Sequence, residues 1–280
     1  MQLNSCHTNK QFDDQVILGK ICFDILSQDL DLSKKKNSDL FCICVVDGRD
    51  RPINSYEDWA MFKSSKISSI ANYPIFAFVA NTCSFLNNDY TTITNWRINI
   101  IKIPQLNNLI EYSKFCINEL FFRIPEKFKN IIMLQSDGFF SGKSGWEDYV
   151  LDNKFDYIGS HWQHNAGIIY KEDDKWHKFS NDLVKIGNGA FSYRNASKMR
   201  VLSEKFNNLE LAELGCQNFN YPKEDLFFSY FSYLMRYNLP TLEQACKFCK
   251  DPINLRQYLD KVSYGFHYPA IDNKYCCLIH

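Results

Sequence analysis

At 280 residues, with 45% hydrophobic and 23% charged side chains, the chain can bury a sizeable core and has the make-up of a folded globular protein. Its 32 basic and 32 acidic side chains cancel, which argues against a general nucleic-acid binder, since such proteins carry a basic excess. No apolar run approaches the roughly 20 residues that cross a bilayer, and the first residues lack the basic and apolar regions of a secretory signal. A cytoplasmic location is expected, with any membrane contact peripheral and at the inner face.

The first predicted element is a helix over Gln11 to Ser27, where Val16, Ile17, Ile21, Ile25 and Leu26 recur near helical spacing. Leu32 to Ser38, with three consecutive lysines, reads as a solvated connector, so residues 1–38 form an accessory segment ahead of a main domain at 39–280. Phe41 to Val46 is a continuous apolar run, the mark of a strand buried on both faces, and it ends at Asp47-Gly48-Arg49. Tyr56 to Ile70 reads as a helix, and Ile75 to Val79 and Ile98 to Ile103 as strands, the latter stopped by Pro104. Asn107 to Phe122 carries Leu109, Ile110, Tyr112, Phe115, Cys116, Leu120 and Phe121 on a helical stripe. Ile131 to Leu134 starts a further strand that runs into Asp137-Gly138; Trp146 to Leu151 is a short helix and Phe155 to Ile158 a strand ending in Gly159. Strands alternating with helices give an α/β fold: a mostly parallel sheet with helices on both faces, in a single domain.

Several turns in this pattern could carry chemistry, and each also has a plain structural reading. In open α/β sheets ligands sit at the carboxyl ends of strands, so Asp137 is placed to hold a metal–diphosphate or a sugar hydroxyl; Asp-Gly is also a common turn. Gly187-Asn188-Gly189 allows a ligand close to the backbone, with an amide for a sugar hydroxyl, but also reads as a hairpin turn. Tyr221 opens a helix running to about Tyr237, with Glu224 and Asp225 in its first turn. Acids there are ordinary, and the helix N-terminus would favour the ionised form that a general base needs. His161-Trp162 offers a platform for stacking a sugar, or packing; His267, among aromatics, offers a metal or diphosphate ligand, or a core histidine.

Of the eleven cysteines, Cys246 and Cys249 form a CxxC and Cys276 and Cys277 are adjacent. No second CxxC exists, adjacent cysteines chelate poorly, and Thr241 to Lys250 looks helical, so zinc is not expected.

Taken in order, Ile98 to Asp137, Asp156-Tyr157-Ile158-Gly159, Gly187-Asn188-Gly189-Ala190-Phe191-Ser192, Glu224-Asp225 and Gly265-Phe266-His267 resemble the DUF5672 family of glycosyltransferase-like proteins. That family's segments read approximately Q-T-D-G, D-Y-I-G, G-N-G-G-F-S, E-D and G-F-H. The resemblance implies a GT-A-like, Rossmann-type sheet, with a nucleotide-binding half at about 39–140 and an acceptor half at about 141–280. It implies a nucleotide-sugar donor held near Asp47, Arg49, Asp137 and Gly138, and a glycan or glycolipid acceptor near His161, Trp162, Gly187, Asn188 and Gly189. Asp225, with Glu224 beside it, matches the base of inverting enzymes. Asp137 and His267 match positions that hold a divalent metal, Mn²⁺ or Mg²⁺, although Gln135 stands where such enzymes carry the first acid and leaves metal dependence open. Such families often build surface polysaccharide or lipopolysaccharide. The competing readings are a nucleotidyltransferase, a glycoside hydrolase using Asp137 with Glu224 or Asp225, and a non-catalytic carbohydrate-binding protein of the same fold.

Overall fold

The computed structural model describes residues 40–48, 73–82, 98–135, 138–140, 143, 145–161, 167–180, 186–213, 222–250 and 263–267. The expected helices over Gln11 to Ser27 and Tyr56 to Ile70 lie outside them. Among the described residues a six-stranded sheet runs through the middle of a mixed α/β domain. Its strands are β1 (Phe41–Asp47), β2 (Ile75–Ala80), β3 (Ile98–Ile103), β4 (Asn130–Leu134), β6 (Tyr157–His161) and β9 (Ile186–Asn195), in the order β3-β2-β1-β4-β9-β6. Pairings within β3-β2-β1-β4 are parallel, while β9 runs antiparallel to both β4 and β6. The chain builds outward from β1 to β3 and then returns to lay β4 on the other side of β1. That reversal is a topological switch point, where open α/β sheets bind ligands at the carboxyl ends of their strands.

Burial on both faces explains the apolar runs. Side chains alternate across a strand, so Cys42, Cys44, Phe76, Phe78, Ile131, Met133 and Tyr157 enter one core layer. Their neighbours Phe41, Ile43, Val45, Ile75, Ala77, Val79, Ile132, Leu134 and Ile158 enter the other. Three helical segments cover the first layer. The first, α1 (Leu109–Phe115), continues through a π-helical turn (Cys116–Leu120) into a last turn at Phe121–Arg123; α3 (Ala196–Phe206) and α4 (Glu224–Leu234) follow. The second layer is closed by α2 (Trp146–Asp152) and α5 (Leu242–Phe248), through Trp146, Val150 and Phe248. Asn108 caps α1, and Thr241 with Gln244 forms a capping box on α5, which fixes where these helices start.

Two small sheets flank the main one. One holds β7 (Gly167–Glu172), β8 (Lys175–Ser180) and β10 (Glu210–Glu213), with β7 central. The β7–β8 hairpin turns on Asp173 and Asp174, both at positive φ (49° and 58°), the geometry that matches strand twist. The other holds β5 (Gly138–Phe140), β11 (Cys249–Lys250) and β12 (Gly265–His267).

The structure corrects several expectations. The strand before Asp137 stops at Leu134, where the Gln135 N–H turns to the Ala190 carbonyl. Gly187-Asn188-Gly189 is no hairpin turn: it lies inside β9. Gly159 sits within β6 rather than at its end, and it is the close approach of the Asn188 carbonyl oxygen of the neighbouring strand, with which a Cβ would collide, that calls for glycine there. The helix expected from Tyr221 to about Tyr237 spans Glu224–Leu234, and the chain breaks from it through Arg236 at φ 54°. Lys250 and Cys249 leave the helix before them to pair with β12. The CxxC is thus split between a helix and a strand, with Cys249 buried and unbridged.

Candidate active site

The carboxyl ends of β1 and β4 lie side by side at the switch point, with Cys44 and Met133 in register just before them. Asp47 closes β1 and is buried. Gly48 follows, with its carbonyl held by the Leu106 N–H (2.7 Å) and its α-carbon so close to the Leu106 side chain that a Cβ would collide. Arg49 and Asp137 lie outside the described residues, as does Trp162. Gly138, next in the chain to Asp137, begins β5, and its α-carbon meets the Ala190 carbonyl closely enough to exclude any side chain. Across β5, His267 pairs with Gly138 in antiparallel register. Two segments far apart in sequence are therefore joined next to the β4 end.

At the β4 end the buried charges gather. The first turn of α4 carries Glu224 and Asp225, 2% and 8% exposed, and β9 carries Arg194, 0% exposed. Arg194 Nη2 donates to Glu224 Oε1 (3.1 Å), and Gln135 Nε2 reaches the same oxygen (3.4 Å) and the Tyr112 hydroxyl (2.9 Å). The guanidinium lies between the rings of Tyr157 (5.2 Å) and Phe228 (5.3 Å). Burial opposes its charge, but Tyr157, Glu224, Tyr112 and Cys116 hold its pKa above the ordinary value. Arg194 Nε donates to Ser192 Oγ (3.2 Å), while Nη1 is buried with no hydrogen-bond partner.

Asp225 is held differently. Its Oδ1 accepts from the Leu226 N–H (2.8 Å) and its Oδ2 from the Gly189 N–H (3.3 Å); among the described residues it pairs with no cation. Burial, with the Glu224 charge beside it, pushes the Asp225 carboxyl up to about 7, against the pull of Arg194 and the two N–H groups. The expectation that the helix N-terminus would favour the ionised form is thus outweighed by desolvation. A carboxyl poised near neutrality is suited to moving a proton.

The glycines of β9 make this packing possible. Gly187 has φ 123°, a conformation open to glycine, and its carbonyl accepts from the Tyr157 hydroxyl. A Cβ on Gly189 would lie 2.7 Å from Glu224 Oε1 and 3.0 Å from Arg194 Nη2. Asn188 spends one amide oxygen on the Ala190 N–H (3.2 Å). His161 ends β6 opposite Ile186, with Nδ1 3.9 Å from Cys246 Sγ, so it belongs to the α5 side of the site. The expected residues Gly187, Asn188, Gly189, Glu224, Asp225 and Gly138 thus meet around β9 and the β4 end. Arg194, Tyr157 and Tyr112 were missed from the sequence. A clue existed: an arginine inside a strand buried on both faces demands a buried acid.

A family model described as "Protein of unknown function (DUF5672)" matches residues 95–267. The chain belongs to the DUF5672 family. The matched span runs to His267 and covers essentially the stretch from Ile98 over which the ordered motifs were read. Among curated proteins none matches. Among solved structures, a glycosyltransferase involved in the glycosylation of the major capsid of PBCV-1 is similar over 81% of this chain and 92% of that one, at 10% identity and a TM-score of 0.40. At that score the likeness fixes neither fold nor function. No helix among the described residues of this DUF5672 protein is long and apolar enough to cross a membrane.

Proposed function

We propose that this protein is an inverting, GT-A-like glycosyltransferase that moves a sugar from a nucleotide-sugar donor to a hydroxyl of a glycan or glycolipid acceptor. The observation that carries the reading is the convergence of the family's separated motifs on one place. The contact between Gln135 and Glu224 brings the start of α4 to the β4 end, and the β5–β12 pairing brings His267 beside Gly138. In this reading Asp47, Arg49, Asp137 and Gly138 serve the nucleotide at the switch point. His161, Trp162 and Asn188 orient sugar rings, and Asp225 takes the proton from the acceptor hydroxyl as its oxygen attacks the anomeric carbon. The nucleoside diphosphate leaves with the bonding pair.

A divalent ion fits this set of residues only in part. Gln135 gives its amide N–H groups to Tyr112 and Glu224 and brings no negative charge to a metal, and the described residues hold no cluster of three ligating side chains. The residues left to hold Mn²⁺ or Mg²⁺ are Asp137 and His267, where the ion would supply positive charge to the leaving diphosphate. The product is a lengthened glycan or glycolipid of the kind found in surface polysaccharide, made at the inner face of a membrane.

The test is thermal stability against a panel of nucleoside diphosphates and nucleotide-sugars, with and without Mn²⁺, on the natural protein and Asp137→Ala. A ligand that binds only the folded state raises the melting point by mass action. One base should raise it, by less in Asp137→Ala. No rise with any nucleotide, in protein that is well folded, overturns the reading.

A further inference from the structure

The ion pair under α4 is hard to explain as a stabilising device. Burying two charges costs several kcal/mol each, and a well-packed apolar pair would serve the core as well or better. Among the described residues Arg194 Nη1 also finds no hydrogen-bond partner, which native cores seldom tolerate without a reason. We propose that Arg194, with Gln135, holds Glu224 as a fixed internal anion, and that this assembly positions Asp225 and sets its protonation. The proposal rests on the transferase reading only in calling Asp225 the base.

Three features of the geometry support it. First, Glu224 Oε1 is already engaged by Arg194 Nη2 and Gln135 Nε2, whereas among the described residues Asp225 accepts from backbone N–H groups alone. The two neighbouring carboxylates are thereby assigned different work. Second, the contacts close on themselves through Gly189. Arg194 Nε donates to Ser192 Oγ, Ser192 Oγ donates to the Gly189 carbonyl (3.3 Å), and the Gly189 N–H donates to Asp225. The missing side chain of Gly189 leaves room for the ion pair, so one residue seats both the pair and the base. Third, an acid at 135 would set a further carboxylate against Glu224. The glutamine there is what the pair requires, which accounts for the departure from the acidic motif.

Among the described residues, the titratable groups facing Asp225 and the pair are Tyr157 from β6, Tyr112 and Cys116 from α1 and its π turn, and Cys44 from β1. Burial raises the pKa of all four, so they stay neutral while Asp225 titrates. Charge changes at Asp225 are therefore answered by Arg194 and Glu224.

The experiment follows the Asp225 carboxyl by ¹³C NMR in aspartate-labelled protein, its signal assigned with Asp225→Asn. Arg194→Met should raise the titration midpoint and Glu224→Gln should lower it, each by about one pH unit. The double variant should return it close to the natural value, and Arg194→Lys, which keeps the charge, should leave it in place. An unmoved midpoint in folded Glu224→Gln overturns the proposal; if Arg194→Met does not fold, Glu224→Gln and the double variant decide. The titration needs no nucleotide. Shifted midpoints in a protein that binds none would keep the pair and sink the transferase reading, and unshifted midpoints in a nucleotide binder would do the reverse.

Discussion

The two sides of the central sheet are built on opposite terms. On the β3-β2-β1 side, β1 and β2 are apolar at almost every position and closely packed on both faces, and the first polar side chain of note is Asp47 at the β1 end. On the β9 side the same alternation of faces brings Ser192 and Arg194 into the interior, against Glu224 and Asp225 from α4. One side gains from removing apolar surface from water; the other bears the desolvation of three charged side chains. That cost falls beside the switch point, where the proposed reaction would take place.

The sharpest way to test this contrast is to damage each side and ask what kind of loss results. Phe78 on β2 is fully buried and meets the Phe115 ring edge-on with centroids 5.6 Å apart. Phe78→Ala should lower the unfolding free energy by about 3–5 kcal/mol, as large cavities do. Denaturant unfolding should show the same loss at pH 5 and pH 8, because no charge is involved. A strongly pH-dependent loss would break the contrast. On the other side, Gly187→Ala should cost about 1–3 kcal/mol from backbone strain, with a further loss from collision with Ser229 Oγ. Gly145, at φ 84° with open space around it, is the control. Gly145→Ala should cost about 1 kcal/mol from conformation alone, so the excess at Gly187 measures how tightly β9 packs on α4. Equal losses at the two glycines would mean that the close packing carries little.

The parallel side was also the more legible. The runs at Phe41, Ile75 and Ile131 gave the starts of their strands, or came within a residue, because double-sided burial leaves no polar residue to interrupt them; β3, at the sheet edge with Asn99 and Lys102 exposed, was legible from its isoleucines and Pro104 instead. Helical spacing likewise marked the stretch from Asn107 to Phe122, although not its π turn at Cys116–Leu120. The β9 side was obscure for a physical reason. Gly187-Asn188-Gly189 has turn composition, yet its glycines are there to admit a neighbouring element. The β7–β8 hairpin was missed because two aspartates supply the positive φ that asparagine-glycine usually signals. The family was read from ordered motifs, and the family match covers the same stretch. The pairing of His267 with Gly138 and the partner of Arg194 depend on contacts across long stretches of chain, which local patterns do not encode.

Proton linkage separates the two sides in a way that shows only in the pH profile. The Asp225 carboxyl stands at about 7 in the folded protein, above its ordinary value, because burial and the Glu224 charge disfavour its ionised form. Between those two values the folded chain binds more protons than the unfolded chain, so stability falls as pH rises across that window, by at most about 1.4 kcal/mol per pH unit for one proton. Below the ordinary aspartate value both states are protonated and the slope vanishes; above about 7 both are ionised and it vanishes again. Glu147, half-buried beside Tyr73, also has a raised pKa and adds to the acid part of the profile. The informative quantity is therefore the difference between natural protein and Asp225→Asn, measured by denaturant unfolding at intervals from pH 4 to pH 8. The variant's curve should be flatter through this window, although the amide gives up one of the two acceptors that serve Gly189 and Leu226 and so starts from a lower stability. Parallel curves would mean that Asp225 is ionised at neutral pH at little cost, and the β9 side would then be no more charged with function than the parallel one.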